Sequence, residues 1–156
     1  MFKGIKHISL IVVIFLFLGM GIYYTQFSTS EIVTNISLKP NDTPTINLGG
    51  SVYAKNCASC HGANLEGQIN WRQRNSNGYL PAPPHDESGH TWHHSDQYLF
   101  LMTKYGIEEM IGKRYPNNMP AYKDVLTDNE IIAVLSYIKS TWPEQIKQQH
   151  DLLNSH

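Results

Sequence analysis

Three features of the sequence point to a helical chain. The pentapeptide Cys57-Ala58-Ser59-Cys60-His61 places its only two cysteines at i and i+3, the spacing of one helical turn. Ile131, Val134, Leu135, Ile138 and Trp142 recur at helical spacing behind Thr127-Asp128-Asn129-Glu130, which is a capping box. The scattered Ile32, Val33, Ile36 and Leu38 form too short a pattern to specify a sheet.

The elements follow in order. Ile8 to Tyr24 is apolar apart from Ser9, with Lys3 and Lys6 ahead of it and Tyr23 and Tyr24 at its far end. At 1.5 Å per residue it reaches roughly 25 Å, slightly short of the roughly 30 Å hydrocarbon core. A retained signal anchor over residues 1–24 is expected, because the tyrosines suit an interfacial belt and no Ala-x-Ala site follows. The alternative is a secretory signal peptide cleaved near Ser28-Thr29-Ser30. Either way the positive amino end stays in the cytoplasm, so Thr25 onward lies outside. Residues 25–48 are rich in Ser, Thr, Asn and Pro and read as a flexible linker, able to span about 80 Å when extended, with the alternative that part of it lies along the domain surface through Ile32, Val33, Ile36 and Leu38. Gly49 and Gly50 open the first helix, with Val52, Tyr53 and Cys57 on one face, and Gly62 breaks it. A second helix runs from His93 to Tyr105, capped by Ser95 or Asp96. The last helix stops at Pro143, leaving 144–156 as a carboxy-terminal tail.

The pentapeptide carries the chemistry. Two thiols one turn apart can each add to a vinyl group of one porphyrin, and the following imidazole then reaches the iron. One covalent haem c is therefore expected, held by Cys57 and Cys60 with His61 as proximal ligand. A thioredoxin-like dithiol has the same spacing but needs no histidine after it, and a small metal site is the other rival. Downstream, Asn117-Asn118-Met119-Pro120-Ala121-Tyr122 offers a thioether for the distal position. An arbitrary methionine is more often a core residue. Here Pro120 fixes its own φ and restricts Met119 to extended conformations, so the side chain leaves its loop in a set direction. Met102, within a helical pattern, and Met110, in a Gly-bounded segment, are weaker candidates.

Gly49-x-x-x-Tyr53-x-x-x-Cys57-x-x-Cys60-His61-Gly62, then Met119-Pro120, then a closing amphipathic helix resembles a class I monohaem cytochrome c from about Gly49 to Trp142. It is similar in particular to the single-haem domains of cytochrome subunits of cbb3-type oxidases. Ala82-Pro83-Pro84-His85-Asp86 and Gly89-His90-Thr91-Trp92-His93-His94 resemble a stretch of small membrane-tethered cytochromes. The resemblance implies an all-α cytochrome c domain over 49–143 with a partly exposed haem edge. It implies that the last helix crosses the first where Gly49 lets the backbones approach, with Tyr53 and Tyr137 packed together. It also implies that a proline carbonyl accepts a hydrogen bond from the Nδ1-H of His61; Pro83 is the expected equivalent, with Pro81 and Pro84 close by.

The net charge of the whole chain is -1, which argues against nucleic acid as a partner. No nucleotide-binding glycine pattern or internal repeat is present. His85, His90, His93 and His94 raise the question of a second metal, but they fall in a loop rich in Pro, Gly, Asp and Ser with no free cysteine to join them. Trp92 and one of these histidine rings are instead candidates for packing on the haem or bonding a propionate, with Trp71, Arg72 and Arg74 as further propionate candidates. The function expected is an electron carrier with His/Met ligation, on the outer face of a bacterial cytoplasmic membrane. It meets redox partner proteins and has no small-molecule substrate. Lys113, Arg114 and Lys123 are placed to form a basic rim beside Met119. The alternative is a peroxidase-like haem enzyme or a gas or redox sensor in which Met119 leaves the iron.

Overall fold

Five α-helices and one 3-10 turn follow one another in the computed structural model, which describes residues 35–155, and no strand occurs among the described residues. The expected anchor, residues 1–24, and the first part of the linker lie outside the described residues. Among the described residues no helix is long and apolar enough to cross a membrane.

Helix α1 spans Thr43–Asn56 and starts earlier than Gly49. The reason is local: the Asp42 carboxylate accepts from the Thr45 N–H at 3.0 Å, and Pro44 sits in the first turn, where its missing N–H costs nothing. Gly49 and Gly50 therefore lie within the helix. The segment just before it also belongs to the fold. Ile36 and Leu38 are buried, and the Leu38 N–H donates to Asp96 Oδ2 at 2.8 Å while that of Lys39 donates to Ser136 Oγ at 2.9 Å. Residues 35–48 are thus not linker, because their apolar side chains and backbone donors find partners 58 and 97 positions away.

A one-turn helix α2, Ala58–His61, continues α1 after a break at Cys57. A long loop then leads to the 3-10 turn Thr91–His93 and to α3, Asp96–Ile111. Ser95 caps α3 by accepting from the Tyr98 N–H at 3.3 Å. The helix runs six residues beyond the expected Tyr105, to Ile111, but it kinks at Gly106, whose φ of 79° and ψ of 166° suit glycine alone.

Helix α4, Asp128–Ser140, has the expected capping box: Thr127 Oγ1 accepts from the Glu130 N–H at 3.3 Å and Glu130 Oε2 from the Thr127 N–H at 2.8 Å. It packs across α1, and a methyl group at Gly49 would overlap the Ala133 carbonyl. The Tyr53 and Tyr137 rings meet beside this crossing with centroids 5.6 Å apart. Ile131, Val134 and Ile138 are buried there, each worth about 1.5–3 kcal/mol of transfer free energy.

The segment after Pro143 is a fifth helix, α5, Glu144–Leu152, rather than a free tail. Its His150 is fully buried; Nε2 donates to the His94 carbonyl at 2.8 Å, and the ring meets Trp142 edge-on at 5.1 Å. The buried Lys139 and Asp96 meet here, with the exposed Asp151 beside them. Lys139 Nζ lies 2.5 Å from Asp151 Oδ1 and 4.0 Å from Asp96 Oδ1. The Asp96 N–H also donates to Asn154 Oδ1 at 2.8 Å.

Candidate functional site

Cys57 ends α1 and begins α2, with its N–H donating to the Tyr53 carbonyl and its own carbonyl accepting from Cys60 and His61 at 3.1 and 2.9 Å. The break at Cys57 turns α2 so that Cys57 is half-buried, Cys60 is exposed and His61 is buried. Both thiols are free, and the two are not joined to each other. Burial pushes the Cys57 thiol up to about 11, with Cys60 adding to the effect. Tyr53, fixed at the helix crossing, reaches over this turn and donates from its hydroxyl to the Gly62 carbonyl at 2.8 Å.

His61 is held along one edge. Its Nδ1 donates to the Pro83 carbonyl at 2.8 Å, so of the three neighbouring prolines it is Pro83 that binds the ring. Nε2 has no hydrogen-bond partner among the described residues. Burial lowers the His61 pKa below the ordinary imidazole value, against the opposing pull of the Pro83 bond, and so favours the neutral ring. Two thiols one turn apart, followed by a neutral imidazole with one nitrogen committed and the other free, form a donor set that fits covalent haem c.

The Met119 loop is fixed from below. The kink at Gly106 takes the carbonyls of Thr103 and Lys104 out of the regular helical ladder, and the N–H of Tyr122 bonds both at 3.1 Å while that of Lys123 bonds Lys104 at 2.9 Å. Ala121 packs against Gly106. The buried Tyr122 then donates from its hydroxyl to the Asn56 carbonyl at 2.8 Å, the residue immediately before Cys57. Met119 itself is 38% exposed. Tyr122 is a site residue that the sequence did not single out; its place three positions after Met119 was the available signal. Its hydroxyl is raised above the usual phenol range by burial first and by Cys57 and Cys60 second.

The loop from residue 62 to residue 90 brings His85 to the same place. Its ring stacks on His61 with centroids 4.0 Å apart, and its Nδ1 lies 2.8 Å from Thr91 Oγ1. The other loop histidines are engaged in aromatic stacks: His90 with Trp71, His93 with Trp92, His94 with Tyr98. Among the described residues no group of three or more His, Cys, Asp or Glu side chains could hold a metal ion. Of the propionate candidates, Arg72 lies over the Trp71 ring at 4.1 Å, and Arg74 donates to Gly78 O at 2.6 Å and Tyr115 Oη at 3.0 Å. In the basic rim, Lys123 lies 3.9 Å from Glu109, and Lys113 and Arg114 are exposed.

A helical domain with this thiol pair and imidazole is that of a c-type cytochrome, and the chain belongs to the cytochrome c family, which it matches over residues 46–142. It carries covalently bound haem c and transfers electrons through it; Cys57 and Cys60 fit the attachment motif. Among curated proteins it is similar to the cbb3-type cytochrome c oxidase subunit FixP of Sinorhizobium medicae (strain WSM419), with 25% identity over 114 residues. The match covers 72% of this chain and 35% of that protein, so the chain spans about a third of the relative's length. No solved structure matches it.

Proposed function

We propose that the chain is a one-electron carrier in which His61 Nε2 and Met119 Sδ are the axial ligands of a single haem. Residues 1–24 anchor it to a bacterial cytoplasmic membrane with the haem domain outside. The observation that carries the reading is the bond from His61 Nδ1 to Pro83, which commits one ring nitrogen and leaves the other as a lone-pair donor.

Bound haem supplies a one-electron couple. The protein's part is to hold two ligands still and to set their donor strength. Pro83 increases the electron density on the His61 ring, which favours the oxidised state. Met119 is a soft, neutral donor that favours the reduced state and raises the potential. Pro120 on one side, and the Tyr122 and Lys123 bonds to α3 on the other, restrain the loop that carries it. A partner of redox type fits this arrangement, because an electron needs only close approach to an exposed haem edge. The name of the FixP relative supports a partner within a cytochrome c oxidase system. Lys113 and Arg114 would steer an acidic partner, with an effect that weakens as salt rises, while Lys123 is partly offset by Glu109.

The test is carbon monoxide titration of the reduced protein, with the far-red sulfur-to-ferric band recorded on the oxidised form. Slow or absent binding and a band lost in Met119→Ala support the reading. A band that survives Met119→Ala and vanishes in Met102→Ala or Met110→Ala assigns the ligand elsewhere. Rapid binding with peroxide turnover would favour a haem enzyme or sensor. A high-salt wash of membranes tests the anchor, since release of a chain with a new amino terminus would remove it.

A further inference from the structure

We propose that His85 is a positioning residue for the iron's proximal ligand: its ring, stacked on His61 and tied to Thr91, fixes the plane of that imidazole and stabilises the oxidised state. This rests on the reading of His61 as ligand.

The geometry holds His61 from two directions with one short segment. Pro83 takes the ring edge through Nδ1 at 2.8 Å, and His85, two residues on, covers the ring face at 4.0 Å with an interplanar angle of 20°. His85 is itself fixed at both main-chain atoms and at its side chain. Its N–H donates to the Leu65 carbonyl at 2.7 Å, and its carbonyl accepts from Trp142 Nε1 at 2.7 Å. Its Nδ1 meets the hydroxyl of Thr91, which is buried in the 3-10 turn. The Tyr53 ring meets that of His85 edge-on at 6.5 Å. The loop, the residue Trp142 just after α4 and the 3-10 turn thus converge on His85.

A hydrocarbon side chain would fill this space without the cost of burying polar nitrogens. The imidazole adds two things that a leucine lacks. Its bond to Thr91 sets the rotation of its ring, and through the stack that of His61. Its polarisable face lies against a ligand that becomes more positive on oxidation, and an aromatic face attracts positive charge. Removing it leaves a less polar surrounding, which favours the less charged, reduced state.

The experiment is redox titration of the full-length holoprotein, with low-spin ferric electron paramagnetic resonance, for His85→Leu, His85→Phe and Thr91→Val. The midpoint potential is expected to rise in His85→Leu, and to rise less in His85→Phe, which keeps an aromatic face. In Thr91→Val the ring remains but is untied, so the resonance should broaden or change rhombicity as the ligand plane loses its fixed orientation. An unchanged or lowered potential in His85→Leu with haem intact overturns the proposal. If His85→Leu fails to retain haem, Thr91→Val decides alone, and a resonance identical to the parent overturns it. His61→Gly separates the two readings: a normal low-spin centre in that variant would overturn the ligand assignment itself.

Discussion

Adding one methyl group at Gly49 drives it into the Ala133 carbonyl and against Tyr137, so α1 and α4 would have to separate at their crossing. Gly49→Ala should therefore destabilise the domain by about 1–3 kcal/mol, read as a lower denaturant midpoint with little change in slope. This residue was legible because a glycine four positions before Tyr53, and eight before the first cysteine, belongs to a recognisable pattern. His150 was not legible, since nothing near it in sequence announces that it will be buried beneath His94 and Trp142. Its pKa is lowered from 6.5, by burial first and by Lys139 second, against the opposing influence of Asp96, the His94 carbonyl and Asp151. The unfolded chain then binds the proton more readily than the folded one. The stability tied to neutral His150 is complete above the unfolded value near 6.5 and is lost as pH falls through the lowered folded value. Denaturant midpoints measured from about pH 7 down to about pH 5 should fall more steeply in the parent than in His150→Gln. Parallel lines would show that His150 does not contribute.

Helix α3 shows how an element serves a loop that is distant in sequence. At Gly106 the chain leaves helical geometry, and the carbonyls of Thr103 and Lys104 bind the N–H groups of Tyr122 and Lys123. Gly106→Ala would force a side chain into backbone space that costs about 1–3 kcal/mol. It should also loosen the segment after Met119, seen as faster carbon monoxide binding to the reduced protein and a weaker far-red band. Retention of parental binding kinetics in a folded variant would mean that the kink does not govern the loop. The capping box of α4 was readable from four consecutive residues, because its partners are local. The kink in α3 was not. Its helical pattern continues through the glycine, and only the returning loop explains why the ladder is interrupted there.

At the level of the whole molecule, the sequence indicated helices and their order but misjudged where the folded unit begins and ends. Polar composition made residues 35–48 look like linker and 144–156 like a tail, whereas Asp42 starts a helix and His150 is an anchoring core residue. Both errors have one source. Short amphipathic segments declare themselves only through the surface they cover, and that surface is built by residues far along the chain. The attachment motif was legible for the opposite reason, being contained in five residues. A domain of this size has little apolar area of its own, and a porphyrin held by its two thiols would add to that core. Cys57→Ala/Cys60→Ala, produced without covalent haem, should keep helical far-ultraviolet signal but lose most near-ultraviolet structure and unfold with low cooperativity. A sharp, parent-like transition would show that the polypeptide packs without the group.

Asp96 joins two distant parts of the chain: its carboxylate receives the Leu38 N–H, and its own N–H is received by Asn154. The segments that carry Leu38 and Asn154 therefore meet at the amino end of α3. Such a domain can be rewired. A few glycines joining residue 155 to residue 35, with new ends opened between the exposed Lys113 and Arg114, would give a circular permutant with every helix intact. The cut would fall between the attachment motif and the Met119 loop. The permutant should still fold around its haem, and any change in its ligation would then report on the continuity of that one connection rather than on the fold.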